Sequence, residues 1–109
     1  MFYKQDPSNF KQLLPGVFMK PLTYGDNSLL CESHLKQGST IPAHQHPQEQ
    51  SGYLISGELR FSSADGEFIA EAGSSWNFKG GVLHKAEVVK DSVAIELFSP
   101  LRQDYLDKQ

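Results

Sequence analysis

The sequence predicts an all-β fold, a small antiparallel barrel or sandwich that occupies residues 1–109 as a single domain. Stretches in which apolar and polar residues alternate recur at spacings of about ten residues, as in small all-β domains. Turn-forming pairs such as Asp65-Gly66 and Ala72-Gly73 separate these stretches, and no segment has the pattern of a long helix. At 109 residues the chain is long enough to bury one hydrophobic core.

The predicted elements follow the chain from one turn signal to the next. An irregular arm with one helical turn is expected over residues 1–16, which close with Leu14-Pro15-Gly16. The expected strands, in chain order, are 17–24, 28–36, 52–55, 58–61, 67–71, 74–78, 84–89 and 92–98. The expected turns and loops are 25–27, 38–42, Ser56-Gly57, Asp65-Gly66, Ala72-Gly73, 79–81 and Lys90-Asp91. The tail over 99–107 is expected to form one short helical turn, since Pro100 is compatible with a helix start.

Charge and composition exclude several classes of function. The net charge is −3 and the ten Lys and Arg residues are scattered singly, so the chain lacks the basic stripe that nucleic-acid binding needs. The sequence contains no run of 18 apolar residues, the length needed to span a membrane, and its N-terminus lacks the apolar core of a signal peptide. Cys31 is the one cysteine and cannot form an internal disulfide, which suits a reducing compartment. We therefore expect a cytoplasmic protein that binds neither nucleic acid nor membrane.

The stretch from His44 to Gly57 carries the first functional signal. Side chains two residues apart on a strand point to the same face, so His44 and His46 could reach one metal ion together. Gln50 could add an oxygen ligand if the loop at 47–49 bends back. The alternative is that His44 and His46 are two polar residues at a strand edge, so the metal hypothesis depends on the surrounding sequence.

The glycines and polar residues around this pair have a regular spacing. Five residues separate Gly38 from His44, three separate His46 from Gln50, and six separate Gln50 from Gly57. This spacing resembles the first motif of the cupin family, whose common form has Glu at the position of Gln50.

A second motif lies further along the chain. Five residues separate Gly73 from Lys79, and two separate Gly81 from His84. This resembles the second cupin motif, with Lys79 in place of its proline. Three of the four histidines therefore fall on ligand positions, whereas His34 is expected at the surface or the rim. The resemblance covers nearly the whole chain and implies a small jelly-roll β-barrel.

Within the cupins, the chain resembles the pectin-degradation proteins of the KdgF type, in the run from His44 to Tyr53 and in the ending from Phe98 to Leu106. That resemblance implies a metal held by three His and one Gln, which correspond here to His44, His46, His84 and Gln50. It implies an active-site acid, aromatic and arginine at Glu96, Phe98 and Arg102, where the acid of the family is Asp. It also implies that the protein opens unsaturated uronic acid monomers into linear keto forms.

The position of Glu96 on its strand also indicates a functional role, without reference to the family. It shares a face with Ala94 and Phe98 that is otherwise apolar, and a buried carboxylate is costly unless it is paired or takes up a proton. Arg102 or a bound cation would supply the partner, which makes Glu96 a functional candidate. The alternatives are that Glu96 only rims the barrel and that Arg102 is an ordinary surface charge.

We therefore expect a metal-dependent cupin that acts on a small carboxylated sugar. The expected catalytic residues are Glu96 and Arg102, and the expected substrate-binding residues are Tyr53, Phe98 and Arg102. Four neutral ligands leave a divalent transition metal its full charge, which favours an anionic substrate, and they do not choose among Zn, Ni, Fe and Mn. Four aromatic residues are expected in the barrel core, namely Tyr53, Phe61, Trp76 and Phe78.

The partner and the reaction class are the remaining expectations. A homodimer is expected because both faces of the last predicted strand, 92–98, are apolar. Two alternatives to the uronate reaction stay open. One is a cupin dioxygenase or lyase that acts on another small molecule, and the other is a non-enzymatic protein that binds a small ligand.

Overall fold

The computed structural model describes residues 1–107, which form eight strands and one short helix. In chain order these elements are β1 (Lys11–Leu14), β2 (Val17–Tyr24), β3 (Leu29–Leu35), β4 (Thr40–His44), β5 (Glu49–Ser63), β6 (Gly66–Glu71), β7 (Ser75–Phe78), β8 (His84–Ser99) and α1 (Gln103–Asp107). No helix in this part of the chain is long and apolar enough to cross a membrane. The all-β prediction and the short helical turn near the C-terminus are both confirmed.

The strands pair only in antiparallel fashion, and the two longest, β5 and β8, form the centre of the sheet. The hydrogen-bonded order is β1-β2-β3-β8-β5-β6. In addition, β4 pairs with the first part of β8, and β7 pairs with the first part of β5. This topology curves the sheet into a barrel whose core receives side chains from β2, β3, β5, β6, β7 and β8.

Alternation along the strands places the core inside the barrel. In β3 the buried residues are Leu29, Cys31, Ser33 and Leu35, and the residues between them are half-exposed. In β8 the inward residues Ala94 and Phe98 are buried, whereas Leu97 is 41% exposed. Cross-strand pairs such as Ser33 with Ala94 therefore continue one face from strand to strand.

Two predicted turns are wrong because both positions lie within a stretch of the β5–β8 pairing where the register shifts at three points. The chain does not turn at Ser56-Gly57 or at Lys90-Asp91, since β5 and β8 run through both positions. The β5–β8 register shifts on both sides of Ser56, and Gly57 has a φ of 101°. A bulge needs the same flexible residue types as a turn, so sequence signals cannot separate the two. The consequence is two long strands in place of four short ones.

Other predictions differ from the structure near the N-terminus and at one hairpin. Residues 1–10 are irregular, but the end of the predicted arm forms β1 rather than a helical turn. The predicted loop at 38–42 overlaps β4, which pairs with β8 and is ordered by that pairing. The hairpin predicted at Asp65-Gly66 is present, but Ser63 pairs with Gly66, so the loop lies one residue earlier.

Candidate metal centre

Three histidines from two distant parts of the chain meet inside the barrel. His44 ends β4 and His84 begins β8, and these two residues are register partners. His46 follows in the loop between β4 and β5. One nitrogen of each ring lies within 4.8 Å of the others, and we call these three residues the histidine cluster. The fourth histidine, His34, lies elsewhere, with its Nε2 2.6 Å from the Glu32 carboxylate.

The backbone fixes which nitrogen of each ring faces the centre. Each Nδ1 lies close to a backbone carbonyl oxygen: Pro42 for His44 at 2.8 Å, Gln48 for His46 at 2.9 Å, and Val82 for His84 at 2.9 Å. Because a carbonyl oxygen can only accept, each Nδ1 carries the hydrogen and donates it. The Nε2 lone pair of each neutral ring is then available, which is how histidine ligands are oriented in metal sites.

Gln50 brings an oxygen to the same centre. It lies at the start of β5 and points inward, with only 7% of its surface exposed. Its Oε1 is 3.0 Å from His46 Nε2, and its Nε2 donates to the Glu96 carboxylate. Since His46 Nε2 carries no hydrogen in this tautomer, both facing atoms are acceptors. A cation between them would satisfy both.

The residues present fit a divalent metal ion. His84 Nε2 is buried and has no hydrogen-bond partner within residues 1–107. Burial lowers the pKa of both His84 and His46, so these rings favour the neutral form that binds metals. Three imidazole nitrogens and one amide oxygen form a donor set that Zn, Ni, Fe or Mn accepts.

Glu96 lies on the inward face of β8, beside Gln50. One carboxylate oxygen accepts from Gln50 Nε2, and the other lies 3.2 Å from the Ser33 hydroxyl, which donates to it. Burial raises the pKa of Glu96, while the hydrogen bonds from Gln50 and Ser33 and the charge of Arg102 act in the opposite direction. A carboxyl group that retains its proton more readily than usual therefore lies next to the histidine cluster.

Arg102 reaches the same end of the barrel from the segment after β8. Its guanidinium carbon lies 5.2 Å from the centre of the Phe98 ring and 3.8 Å from that of Tyr105. It donates to the Tyr105 hydroxyl at 2.8 Å and forms an ion pair with Asp104 at 2.9 Å. The Phe98 ring in turn contacts His46, with 5.8 Å between ring centres. Phe98 thus contacts both the arginine and the histidine cluster.

A cavity of about 80 Å³ lies inside the barrel at this centre. Its polar lining is formed by Ser33, His44, Gln50, His84 and Glu96. Phe61 and Trp76 line it as well, and Phe78 stacks on the His84 ring with 4.3 Å between ring centres. Such a volume holds several water-sized groups, so small polar ligands can approach the histidine cluster.

Tyr53 does not join this group. It lies on the outer face of β5, next to the inward residues Gly52 and Leu54, and is 50% exposed. Because successive residues of a strand alternate, the inward position of Gln50 places Tyr53 outside. The expectation that Tyr53 lies in the core is therefore wrong, and its position gives no support to the substrate-binding role predicted for it.

Three residues that contact the site were not singled out from the sequence. Ser33 had a detectable signal, because it is polar on the otherwise apolar inner face of β3. Gln48 ties its loop to the segment after β8 by donating from Nε2 to the Leu101 carbonyl at 3.1 Å. Tyr105 packs edge-on against Phe98, with 5.3 Å between ring centres. Gln48 and Tyr105 had no signal, since their contacts depend on how the chain returns over the barrel.

Comparison with known proteins agrees with this architecture. The family model described as Cupin domain matches residues 31–99. KdgF from Halomonas sp. is similar in structure, with a TM-score of 0.89 and 24% identity over 95% of this chain and 98% of that one. An RmlC-like cupin from Shewanella frigidimarina has a TM-score of 0.89 and 21% identity, over 95% of this chain and 94% of that one.

A more distant likeness joins the chain to part of a larger protein. Oxalate decarboxylase from Lactobacillus farciminis, in a formate complex, has a TM-score of 0.73 and 22% identity over 92% of this chain but 35% of that one. Comparison with curated proteins finds no similar sequence. The structural likenesses show a shared fold, and the family model matches more than half of the chain. The chain therefore belongs to the cupin family.

Proposed function

We propose that this cupin is a metal-dependent enzyme that opens the ring of small unsaturated uronate monomers and converts them to linear keto acids. The observation that carries the proposal is the grouping of Glu96 and Arg102 around the neutral ligand set of the histidine cluster and Gln50. The reaction is an isomerisation, so it needs no oxidant, reductant or second substrate. The likeness to KdgF is in accord with this choice of substrate class.

The proposed metal ligands are His44, His46, Gln50 and His84. A divalent ion held by these neutral groups would keep its full charge and would supply Lewis-acid polarisation of a substrate oxygen. The protein positions the ligands from β4, from the loop between β4 and β5, from β5 and from β8.

Arg102 is the proposed carboxylate-binding residue. A guanidinium group has five N–H donors, and among residues 1–107 Arg102 uses three of them on Asp104 and Tyr105. The other two suit one carboxylate of the substrate. Phe98 lies under the guanidinium and beside His46, so it would form an apolar wall between the carboxylate and the metal ligands.

Glu96 is the proposed proton carrier. Ring opening removes the proton of the anomeric hydroxyl, breaks the bond between the anomeric carbon and the ring oxygen, and places a proton on that oxygen, which leaves an aldehyde and an enol. Ketonisation then removes the enol proton and adds a proton to the neighbouring carbon of the former double bond. Burial raises the pKa of Glu96, and a carboxyl group with a raised pKa is suited both to accept a proton and to return it.

The reaction can be followed directly in the ultraviolet. The substrate has a double bond conjugated to its carboxylate, and the keto product does not, so absorbance should fall when metal-loaded protein is added to an unsaturated monouronate. No acceleration over buffer containing the same metal would overturn the proposal. Oxygen consumption under the same conditions would instead favour the cupin dioxygenase that the same ligand set also allows.

Variants of the two arginines test the substrate assignment. Arg102→Ala should raise KM strongly, because the carboxylate loses its bidentate partner. Arg60→Ala is the matched control, since Arg60 lies on the surface 3.8 Å from Glu87. Equal effects of the two substitutions would contradict the role of Arg102.

A further inference from the structure

Both ends of the Gln50 amide are held in place. Oε1 faces His46 Nε2 at 3.0 Å, and Nε2 donates to Glu96. The other oxygen of Glu96 accepts from the Ser33 hydroxyl at 3.2 Å. Gln50 and Ser33 are both buried, with 7% and 5% exposure, so the chain Ser33–Glu96–Gln50 lies inside the barrel.

The strand register builds this chain of contacts. Glu96 pairs with Cys31 on one side and with Gly52 on the other. Ser33 and Gln50 are each two residues from those partners, so they are diagonal neighbours of Glu96 on the same inward face. Three strands, β3, β8 and β5, thus each contribute one member.

The orientation of the amide decides whether Gln50 can be a ligand. With Oε1 toward the histidine cluster, the amide offers a lone pair to a cation. If the amide were reversed, its NH2 group would face the cation site, and Oε1 would lie against the Glu96 carboxylate. With the Glu96 carboxylate ionised, two acceptors would then be in contact and would repel each other, so Glu96 selects the first orientation.

We propose that Glu96 and Ser33 form a clamp that holds the Gln50 amide oxygen toward the histidine cluster, so that Glu96 is a positioning residue for a metal ligand. The clamp also accounts for Gln rather than Glu at position 50, because a second carboxylate would lie against Glu96. The inference rests on the metal site of the proposed function and is independent of the uronate reaction.

Metal affinity measured without substrate tests the clamp. Titration calorimetry with Zn²⁺ or Ni²⁺ should show Glu96→Leu binding about 10- to 100-fold more weakly than wild type, the usual effect of removing a group that orients a ligand. Glu96→Gln should stay within a few-fold of wild type, because an amide oxygen can still accept from Gln50. Affinity unchanged in Glu96→Leu, or lost equally in Glu96→Gln, would overturn the clamp.

A matched control separates the contact from the charge. Glu49 is next to Gln50 in sequence, but its carboxylate lies on the outside, 2.9 Å from Asn77 Nδ2. Glu49→Leu removes the same charge without touching the amide, so it should bind the metal as wild type does. A loss equal to that of Glu96→Leu would mean that the net charge matters and the clamp does not.

A double-mutant cycle tests whether Glu96 acts through Gln50. In a Gln50→Ala background, Glu96→Leu should have no further effect on affinity, since there is no amide to orient. The Co²⁺ absorption spectrum of Glu96→Leu should also resemble that of Gln50→Ala. An undiminished effect of Glu96→Leu in that background would overturn the proposal.

Ser33→Ala keeps the test valid if Glu96→Leu does not fold, a point that circular dichroism decides. As a single substitution, Ser33→Ala should weaken metal binding by a few-fold. Added to Gln50→Ala, it should have no further effect, and equal effects in the two backgrounds would contradict the clamp. Because these readouts contain no uronate, failure of the ultraviolet assay leaves the clamp standing. Failure of the clamp likewise leaves the uronate reaction open.

Discussion

Each ring of the histidine cluster donates its Nδ1 hydrogen to a backbone carbonyl, so single peptide groups decide which nitrogen faces the metal site. Those carbonyls belong to residues two positions away from each histidine. The tautomers are therefore set by local backbone shape. The convergence of the three rings, in contrast, depends on the barrel.

Removal of one ring should abolish metal binding. His84→Ala deletes a buried ligand, and we expect the bound metal to fall from about one ion per chain to a small fraction of that after dialysis. His34→Ala is the matched control, because that ring pairs with Glu32 outside the cluster. Elemental analysis of both variants provides the measurement. Full metal content in His84→Ala would rule out this centre.

The buried rings should also make the metal-free protein sensitive to acid. Burial lowers the pKa of His84 below its value in the unfolded chain, so the unfolded state binds protons first as pH falls. The contribution of His84 to stability is thus present above about pH 6.5 and is lost below it. Burial raises the pKa of Glu96, which changes the pH dependence of stability in the opposite direction. The contribution of Glu96 must therefore be cancelled by comparison with a variant that retains it.

Comparison with His84→Asn provides that cancellation, since asparagine does not titrate. The free energy of unfolding, measured with urea, should be higher for wild type than for the variant by a margin that is larger at about pH 7.5 than at about pH 5.5. A difference that does not change with pH would contradict the lowered pKa.

At the scale of elements, the bulge at Gly57 allows β5 and β8 to remain paired along their length. A methyl group at position 57 would collide with the Asp91 carbonyl oxygen and the Ser92 hydroxyl. The Ser92 hydroxyl already accepts from the Glu58 amide at 3.1 Å, so it is held in place. The bulge therefore tolerates glycine alone.

Gly57→Ala should destabilise the protein more than Gly66→Ala. Both glycines have positive φ, 101° and 108°, but position 66 has open space around it. Gly66→Ala should cost about 1 kcal/mol from backbone strain alone, whereas Gly57→Ala adds a collision with a second strand. Urea unfolding of the two variants compares them. Equal losses would mean that the bulge can relax.

At the scale of the whole molecule, the outer face of the barrel carries apolar side chains on neighbouring strands. Tyr53 on β5 pairs with Ile95 on β8, and both point outward. Leu97 is 41% exposed and Ile55 is 48% exposed on the same two strands. These residues form a surface with the composition of an interface.

We accordingly keep the prediction of a homodimer. Light scattering coupled to size exclusion should give twice the chain mass of 12.2 kDa. Leu97→Glu should shift the mass toward that of one chain, because it places a charge within the apolar surface. Glu67→Gln, a change on the exposed part of β6, should leave the mass unchanged. A single-chain mass for wild type would contradict the prediction.

Local patterns in the sequence determined the strand faces and the candidate ligands. Alternation placed Glu96 on the same face of its strand as Ala94 and Phe98, and two spaced motifs singled out the histidine cluster and Gln50. Turn chemistry was less decisive, because a glycine that permits a turn also permits a bulge. For that reason β5, which contains Gly57, was predicted as two strands.

The sequence by itself determined the all-β fold, the cupin resemblance and the residue types at the site, since these depend on spacing along the chain. Only the tertiary structure decided that Glu96 contacts Gln50, that Arg102 stacks on Phe98, and that Tyr53 faces outward. The Arg102–Phe98 contact depends on how the chain bends after β8. The Glu96–Gln50 contact and the outward position of Tyr53 depend on cross-strand register, which hydrogen bonds between distant segments fix. A shift of one residue would reverse every side chain of a strand, so no local pattern could have specified them.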